Sequence, residues 1–133
     1  MATIWRAGLL VVALVVCAWF ALGARQAVNT NRAAALIGSG SLPASQARHA
    51  DSLLSAASTL NPDLTPDILR GQLALQRGEH STALTDLESV TRREPLNLAA
   101  WSALAYAAAR AGERGTLILA AHHISMLFPK LPR

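Results

Sequence analysis

Pro95 and Pro129 close two stretches of chain that repeat one another's key residues at a spacing of 34. Gly78-Glu79 recurs as Gly112-Glu113, each pair the same distance ahead of its proline, and Ala74 recurs as Ala108 at that same interval. A period of about 34 residues, with a glycine turn midway and a proline at its end, specifies helix–turn–helix units that stack into a solenoid. One unit cannot bury its own apolar face, so a chain of this kind is built to stack and bind rather than to perform chemistry.

Local signals place the helices. Arg25 to Gly40 reads as a helical segment that frays at the Gly38-Ser39-Gly40 breaker. Ser41 and Pro43 restart a helix through about Leu60, with apolar Leu53, Leu54, Ala57 and Leu60 at helical spacing, and Asn61-Pro62-Asp63 stops it. Thr65-Pro66-Asp67 supplies an N-cap oxygen, an early proline and a carboxylate for the helix dipole. That helix is expected to reach Arg77 and to end at Gly78, where a positive φ suits glycine. Its partner spans about Ser81 to Glu94. Asn97 caps the next helix, which ends at Gly112, and the last spans about Thr116 to Leu127. No segment reads as a strand.

The stretch ahead of Arg25 obeys a different rule. Ala7 to Ala24 carries no charge and is bracketed by Arg6 and Arg25. Eighteen residues at about 1.5 Å each span roughly 27 Å, close to the hydrocarbon thickness of a bilayer. The leucines, valines and Phe20 in it would favour insertion by about 3–5 kcal/mol, and Trp5 and Trp19 lie toward its two ends, where indoles prefer the interface. A cleaved signal peptide is the competing reading, with a small-residue site at Ala21-Leu22-Gly23, but the apolar run exceeds the usual length of about 7–15 residues for a signal core. Cys17 follows Val16, which makes a poor lipoprotein motif. Arg6 and the α-amino group on one side nearly balance Arg25 and Arg32 on the other, and the short tail before the span favours an N-in, C-out orientation.

Charge excludes some functions. Of the twelve basic residues eleven are arginine, scattered apart from Arg92-Arg93, so the pI of about 10.6 marks no phosphate-binding stripe and no nucleic-acid partner is expected. Beside so much alanine, the arginine skew reflects a GC-rich bacterial genome. One cysteine, Cys17, permits neither an intrachain disulfide nor a cysteine-based zinc site.

At the residue level the repeat resembles the tetratricopeptide family. With Leu64 opening one unit, Gly71, Gly78, Ala83, Val90 and Pro95 fall on its small, turn, small, aliphatic and proline positions. With Leu98 opening the next, Trp101, Leu104, Ala105, Gly112, Ile124 and Pro129 do the same, and Ala50, Leu54, Ala57 and Pro62 suggest an earlier half-repeat. Asp67 and Arg70 depart from the pattern where tryptophan and leucine are usual, as does Leu117 where alanine is. The resemblance covers residues 47–129. It implies an all-α fold, in which the transmembrane helix read from the apolar run is followed by a short helix-hairpin solenoid of about two and a half repeats. Residues 1–25 form a transmembrane anchor or signal peptide, 26–42 a membrane-proximal helix and linker, and 43–133 the tetratricopeptide-like domain. Gly71 and Ala83 would allow close helix approach and Trp101 would fill the gap between hairpins. Two and a half units fall short of the three usually needed for a stable stack. Its ends therefore need a cover from the segment before Ser41, from the Leu127–Pro132 tail or from a second subunit.

No catalytic or metal constellation stands out. Adjacent His122 and His123 point about 100° apart on a helix, and no acidic residue or cysteine stands at the spacing that would complete a site. His80 reads as a turn residue helping to cap the helix at Ser81, and His49 with Asp51 lacks a nucleophile. Asp63, Asp67, Glu79, Glu94 and Glu113 all fall at helix ends, where dipoles favour them. No cofactor is expected.

The resemblance places a binding groove on the concave face of the first helices. Its positions here are Thr65, Ile68, Gln72 and Leu75 in one unit and Ser102, Tyr106, Ala109 and Arg110 in the next. Ile68, Gln72, Ala103 and Tyr106 do not supply the lysines and asparagines that clamp a terminal carboxylate in some family members. A mixed apolar and polar groove suits a helix or an extended peptide. The same positions alternatively pack against the chain's own membrane-proximal helix. The expectation is a bacterial inner-membrane protein held through residues 7–24, its C-terminal domain extracytoplasmic, acting as a protein–protein adaptor in envelope assembly. The alternatives are a structural subunit or self-associating protein and, after signal cleavage, a secreted form.

Overall fold

The computed structural model describes residues 2–38, 42–59 and 62–128, with side-chain surroundings from Leu9 onward. The side chain of Trp5, the Ser39-Gly40-Ser41 breaker, Leu60, Asn61, Pro129 and the rest of the tail lie outside the described residues. Among those described, six helices follow one another: α1 (Ala2–Gly38), α2 (Ala44–Ser58), α3 (Thr65–Gln76), α4 (His80–Arg93), α5 (Leu98–Ala111) and α6 (Arg114–Leu127). There is no strand among the described residues.

Neither proline nor charge repulsion interrupts the chain between Ala24 and Gly38, and α1 runs unbroken through the expected domain boundary at 25–26. Its apolar first part, including Leu9, Leu14, Trp19 and Phe20, is exposed and long enough to cross a membrane. Its last three turns behave differently. Gln26, Asn29, Thr30, Ala33 and Ile37 recur at helical spacing and turn toward α2, with Ala33 and Ile37 buried. Gln26 donates through Nε2 to the Thr59 carbonyl at 2.6 Å, tying the start of this stripe to the end of α2.

Every helix packs on its neighbours in sequence, and α3 also touches α1 and α5, whereas α2, α4 and α6 do not touch one another. The odd-numbered helices thus form a continuous layer. Two apolar clusters hold the array. Ala33, Ile37, Ala47, Ala50, Leu54 and Leu73 join α1, α2 and α3. Ile68, Ala83, Leu87, Val90, Trp101, Leu104 and Ala120 are among those joining α3 to α6.

The repeated Gly-Glu pair has one cause at both places. Gly78 and Gly112 each adopt φ of 77°, which an L side chain resists. At the first, Glu79 N–H reaches the Ala74 carbonyl at 2.9 Å and Gly78 N–H the Leu75 carbonyl at 3.0 Å. At the second, Glu113 N–H reaches Ala108 at 2.9 Å and Gly112 N–H reaches Ala109 at 3.4 Å. Both are Schellman closures of a helix, which explains why Ala74 and Ala108 keep the same interval. The second helices end alike too: Glu94 N–H bonds the Val90 carbonyl and Phe128 N–H the Ile124 carbonyl, each at 2.9 Å.

Two of the expected caps are corrected. Thr65 is the first residue of α3, not its cap; its N–H and Oγ1 both donate to Asp63 Oδ1, at 2.9 and 2.8 Å, so the aspartate closes the turn. His80 opens α4 without capping it, and its buried Nδ1 has no hydrogen-bond partner. Asn97 does cap α5, accepting from Ala100 N–H at 3.0 Å.

Asp67 and Arg70, the two departures from the repeat pattern, act together. Asp67 meets Arg70 and Arg93 of α4 at 3.3 Å each, and Arg70 also reaches Asp51 of α2 at 3.9 Å. A polar link thus runs across α2, α3 and α4, at the position that Trp101 holds one period later. Nearby Asp86 is held above the ordinary aspartate range, mainly by burial, with Asp67 adding to the shift and Arg70 opposing it. A carboxyl raised on folding favours the fold while protonated and opposes it once ionised. Asp86→Asn should therefore raise the melting temperature at neutral pH, and the gain should vanish in acid below the unfolded aspartate pKa, as followed by circular dichroism.

Candidate groove on the odd-numbered helices

An open hollow of about 670 Å³ lies beside the odd-numbered layer. The end of α1 forms one wall with Ala34, Ile37 and Gly38. Leu69, Gln72, Leu75 and Gln76 of α3 form its floor, and Ala99, Ser102, Ala103, Tyr106 and Arg110 of α5 the opposite wall. The helix periods place these side chains: 69, 72 and 76 share one face of α3, and 99, 102, 106 and 110 one face of α5. Five of the expected positions, Gln72, Leu75, Ser102, Tyr106 and Arg110, therefore converge.

Ile68 does not line the groove. It is rotated into the core with Trp101 and Leu104, because α4 and α5 close over that side of α3. Leu69 and Gln76 take its place. Thr65 and Ala109 are exposed outside the hollow. Ala34, Ile37 and Gly38 of α1 border the hollow, as in the alternative that has these positions pack against the chain's own helix ahead of the domain, and the stripe from Gln26 to Ile37 at helical spacing carried that signal. Gln76 Nε2 donates to the Ile37 carbonyl at 2.5 Å and Arg77 Nη2 to the Ala47 carbonyl at 3.0 Å, fixing α3 against the α1–α2 hairpin. The chain's own helix borders the groove without filling it.

The lining is mostly apolar, with glutamine amides, a serine hydroxyl and the phenol of Tyr106, which is 59% exposed. Arg110 is its one formal charge, and among the described residues no carboxylate lies within ion-pair distance of it. Such a surface offers van der Waals contact, amide hydrogen bonds and one point for an anion.

The histidines do other work. His123 lies flat on the Trp101 indole, ring centroids 3.9 Å apart and planes within 5°, and His122 meets His123 edge-on at 6.1 Å. His123 is thus a packing residue rather than a solvated one. No group of three His, Cys, Asp or Glu side chains among the described residues is placed to hold a metal ion. No known protein family, curated protein or solved structure matches the chain.

Proposed function

We propose that the chain is a membrane-anchored protein-interaction adaptor, not an enzyme, that holds an apolar helix or extended segment of a protein partner in the α1–α3–α5 groove. The observation that carries the reading is the convergence of Gln72, Leu75, Ser102, Tyr106 and Arg110 on one open hollow. Arg110, which has no carboxylate within ion-pair distance among the described residues, suits a partner with an acidic side chain at one end of its apolar stretch. The tetratricopeptide-like reading draws support from the two Schellman closures set one repeat period apart, the layer of odd-numbered helices and the buried Trp101. The anchor reading rests on the exposed apolar length of α1, with the folded part on the extracytoplasmic side of a bacterial inner membrane and a role in envelope assembly.

The full chain, extracted from membranes in mild detergent, should bring down a protein partner after remaining with the membranes through a carbonate wash. Tyr106→Ala should lower partner recovery about 5- to 30-fold, roughly 1–2 kcal/mol, because an exposed tyrosine combines apolar area with a hydroxyl at low entropic cost. Arg92→Ala on the outer surface of α4 should leave recovery unchanged. Equal effects at both positions, or no partner, would end the adaptor reading. A mature N-terminus at Ala24 would mark a secreted form instead.

A further inference from the structure

We infer that one edge of the helical array, made by the α2–α3 and α4–α5 turns and the end of α6, rests on the surface of the bilayer that α1 crosses, with Leu96 and Phe128 in its interfacial layer. This placement rests on the anchor reading of α1 and makes no use of the groove.

The geometry starts from α1, one unbroken helix without proline from Ala2 to Gly38, so the part that spans and the part that packs share one rod. Contacts then fix the level of each later helix against it. Gln26, just past the end of the apolar run at Ala24, bonds the Thr59 carbonyl, while Gln76 and Arg77 bond the Ile37 and Ala47 carbonyls. The α2–α3 turn therefore stands at the lower level, where α1 leaves the membrane, and the α3–α4 turn stands one helix length, about 18 Å, above it. Asp67 in the first turn of α3 meets Arg93 in the last turn of α4, which returns the α4–α5 turn to the lower level. Trp101 near the start of α5 stacks on His123 near the end of α6, so α6 ends there too.

The two edges differ as this placement requires. Among the described residues beyond α1, seven large apolar side chains are exposed, and four of them, Leu96, Leu98, Met126 and Phe128, stand at the lower edge. Leu96 is 80% exposed and Phe128 70%. Tyr106 lines the groove, and Ile118 and Leu119 lie higher on the flank of α6. The glycine turns of the upper edge expose Glu79 and Glu113 and no large apolar side chain. Single exposed leucines are ordinary. Four such side chains along one edge, at the level where α1 enters the bilayer, share one cover. Arg92 and Arg93 at that edge are exposed, and their apolar stems can lie along the interface while the guanidiniums reach the headgroups. Asp63 and Glu94 balance those two charges, so apolar insertion holds the edge down without anionic lipid.

The test is lipid quenching of the full chain in phosphatidylcholine vesicles. Leu96→Cys, Phe128→Cys, Glu79→Cys, Glu113→Cys and Ile118→Cys, each in a Cys17→Ser background, carry an environment-sensitive fluorophore. All five native side chains are exposed, so circular dichroism should show unchanged helicity. Brominated lipid should quench the labels at 96 and 128 at least about threefold more than those at 79, 113 and 118. Quenching at 96 or 128 no greater than at 79 and 113 would overturn the inference and leave the anchor reading standing. Strongest quenching at 118 would lay the flank of α6 on the membrane instead, and also overturn it. Release of the chain from the vesicles by carbonate would end both the inference and the anchor reading.

Discussion

Trp101→Ala is expected to abolish cooperative melting of the helices beyond α1, at a cost of about 3–5 kcal/mol, which is comparable to the whole stability of so small a core. The indole is 6% exposed and belongs to the cluster that runs from α3 to α6. Its Nε1–H donates to the Pro95 carbonyl at 2.8 Å, which pins the α4–α5 turn, and its face is covered by His123 of α6. Alanine removes the filler, the turn bond and the platform for His123 together. Trp101→Phe keeps much of the bulk and should cost less, while His123→Ala, which removes only the stack, should cost about 0.5–1.5 kcal/mol. Thermal melting of the full chain in detergent measures all three. Trp101→Ala melting within a few degrees of wild type would mean that the hairpins are held together elsewhere.

The repeat interval was legible because its residues act locally. A glycine at positive φ, the alanine whose carbonyl closes the helix and a proline after it each work within a turn or two of chain, so spacing alone predicts the turns at Gly78 and Gly112. Asn97 was legible for the same reason. What sequence reasoning missed depends on which helices meet. Ile68 and Gln72 lie one turn apart and look alike in a repeat pattern, but α4 and α5 close over only the first. His123 reads as a surface residue until Trp101 is seen beneath it. Thr65 reads as a cap until Asp63 is seen to accept from both its N–H and its Oγ1. The largest gap was α1. The segment before Ser41 was legible as a helix and as one possible cover for the stack, but the strong apolar signal over residues 7–24 hid the stripe from Gln26 to Ile37 that makes it one wall of the candidate groove and part of the core.

The close approach of α3 and α4 yields the second large effect, and here two principles give opposite signs. Glycine inside a helix normally costs about 1 kcal/mol relative to alanine, so on propensity alone any replacement of Gly71 should stabilise. Packing forbids it. A Cβ at position 71 would lie 2.7 Å from Leu87 Cγ and 3.0 and 3.2 Å from its two δ-carbons, and Leu87 is fully buried. Gly71→Val should therefore destabilise by about 3 kcal/mol through overpacking. Leu87→Ala alone should cost about 2–5 kcal/mol through the cavity it leaves. Combined, the valine occupies the space the leucine vacates, and the double variant should fall short of the summed cost by about 1–3 kcal/mol. A chemical-denaturation cycle of the four chains reads this coupling directly. Strict additivity would mean that the helices stand apart at Gly71, leaving the small residue in the repeat without a packing reason; strong coupling ties the glycine to the one leucine that makes it necessary.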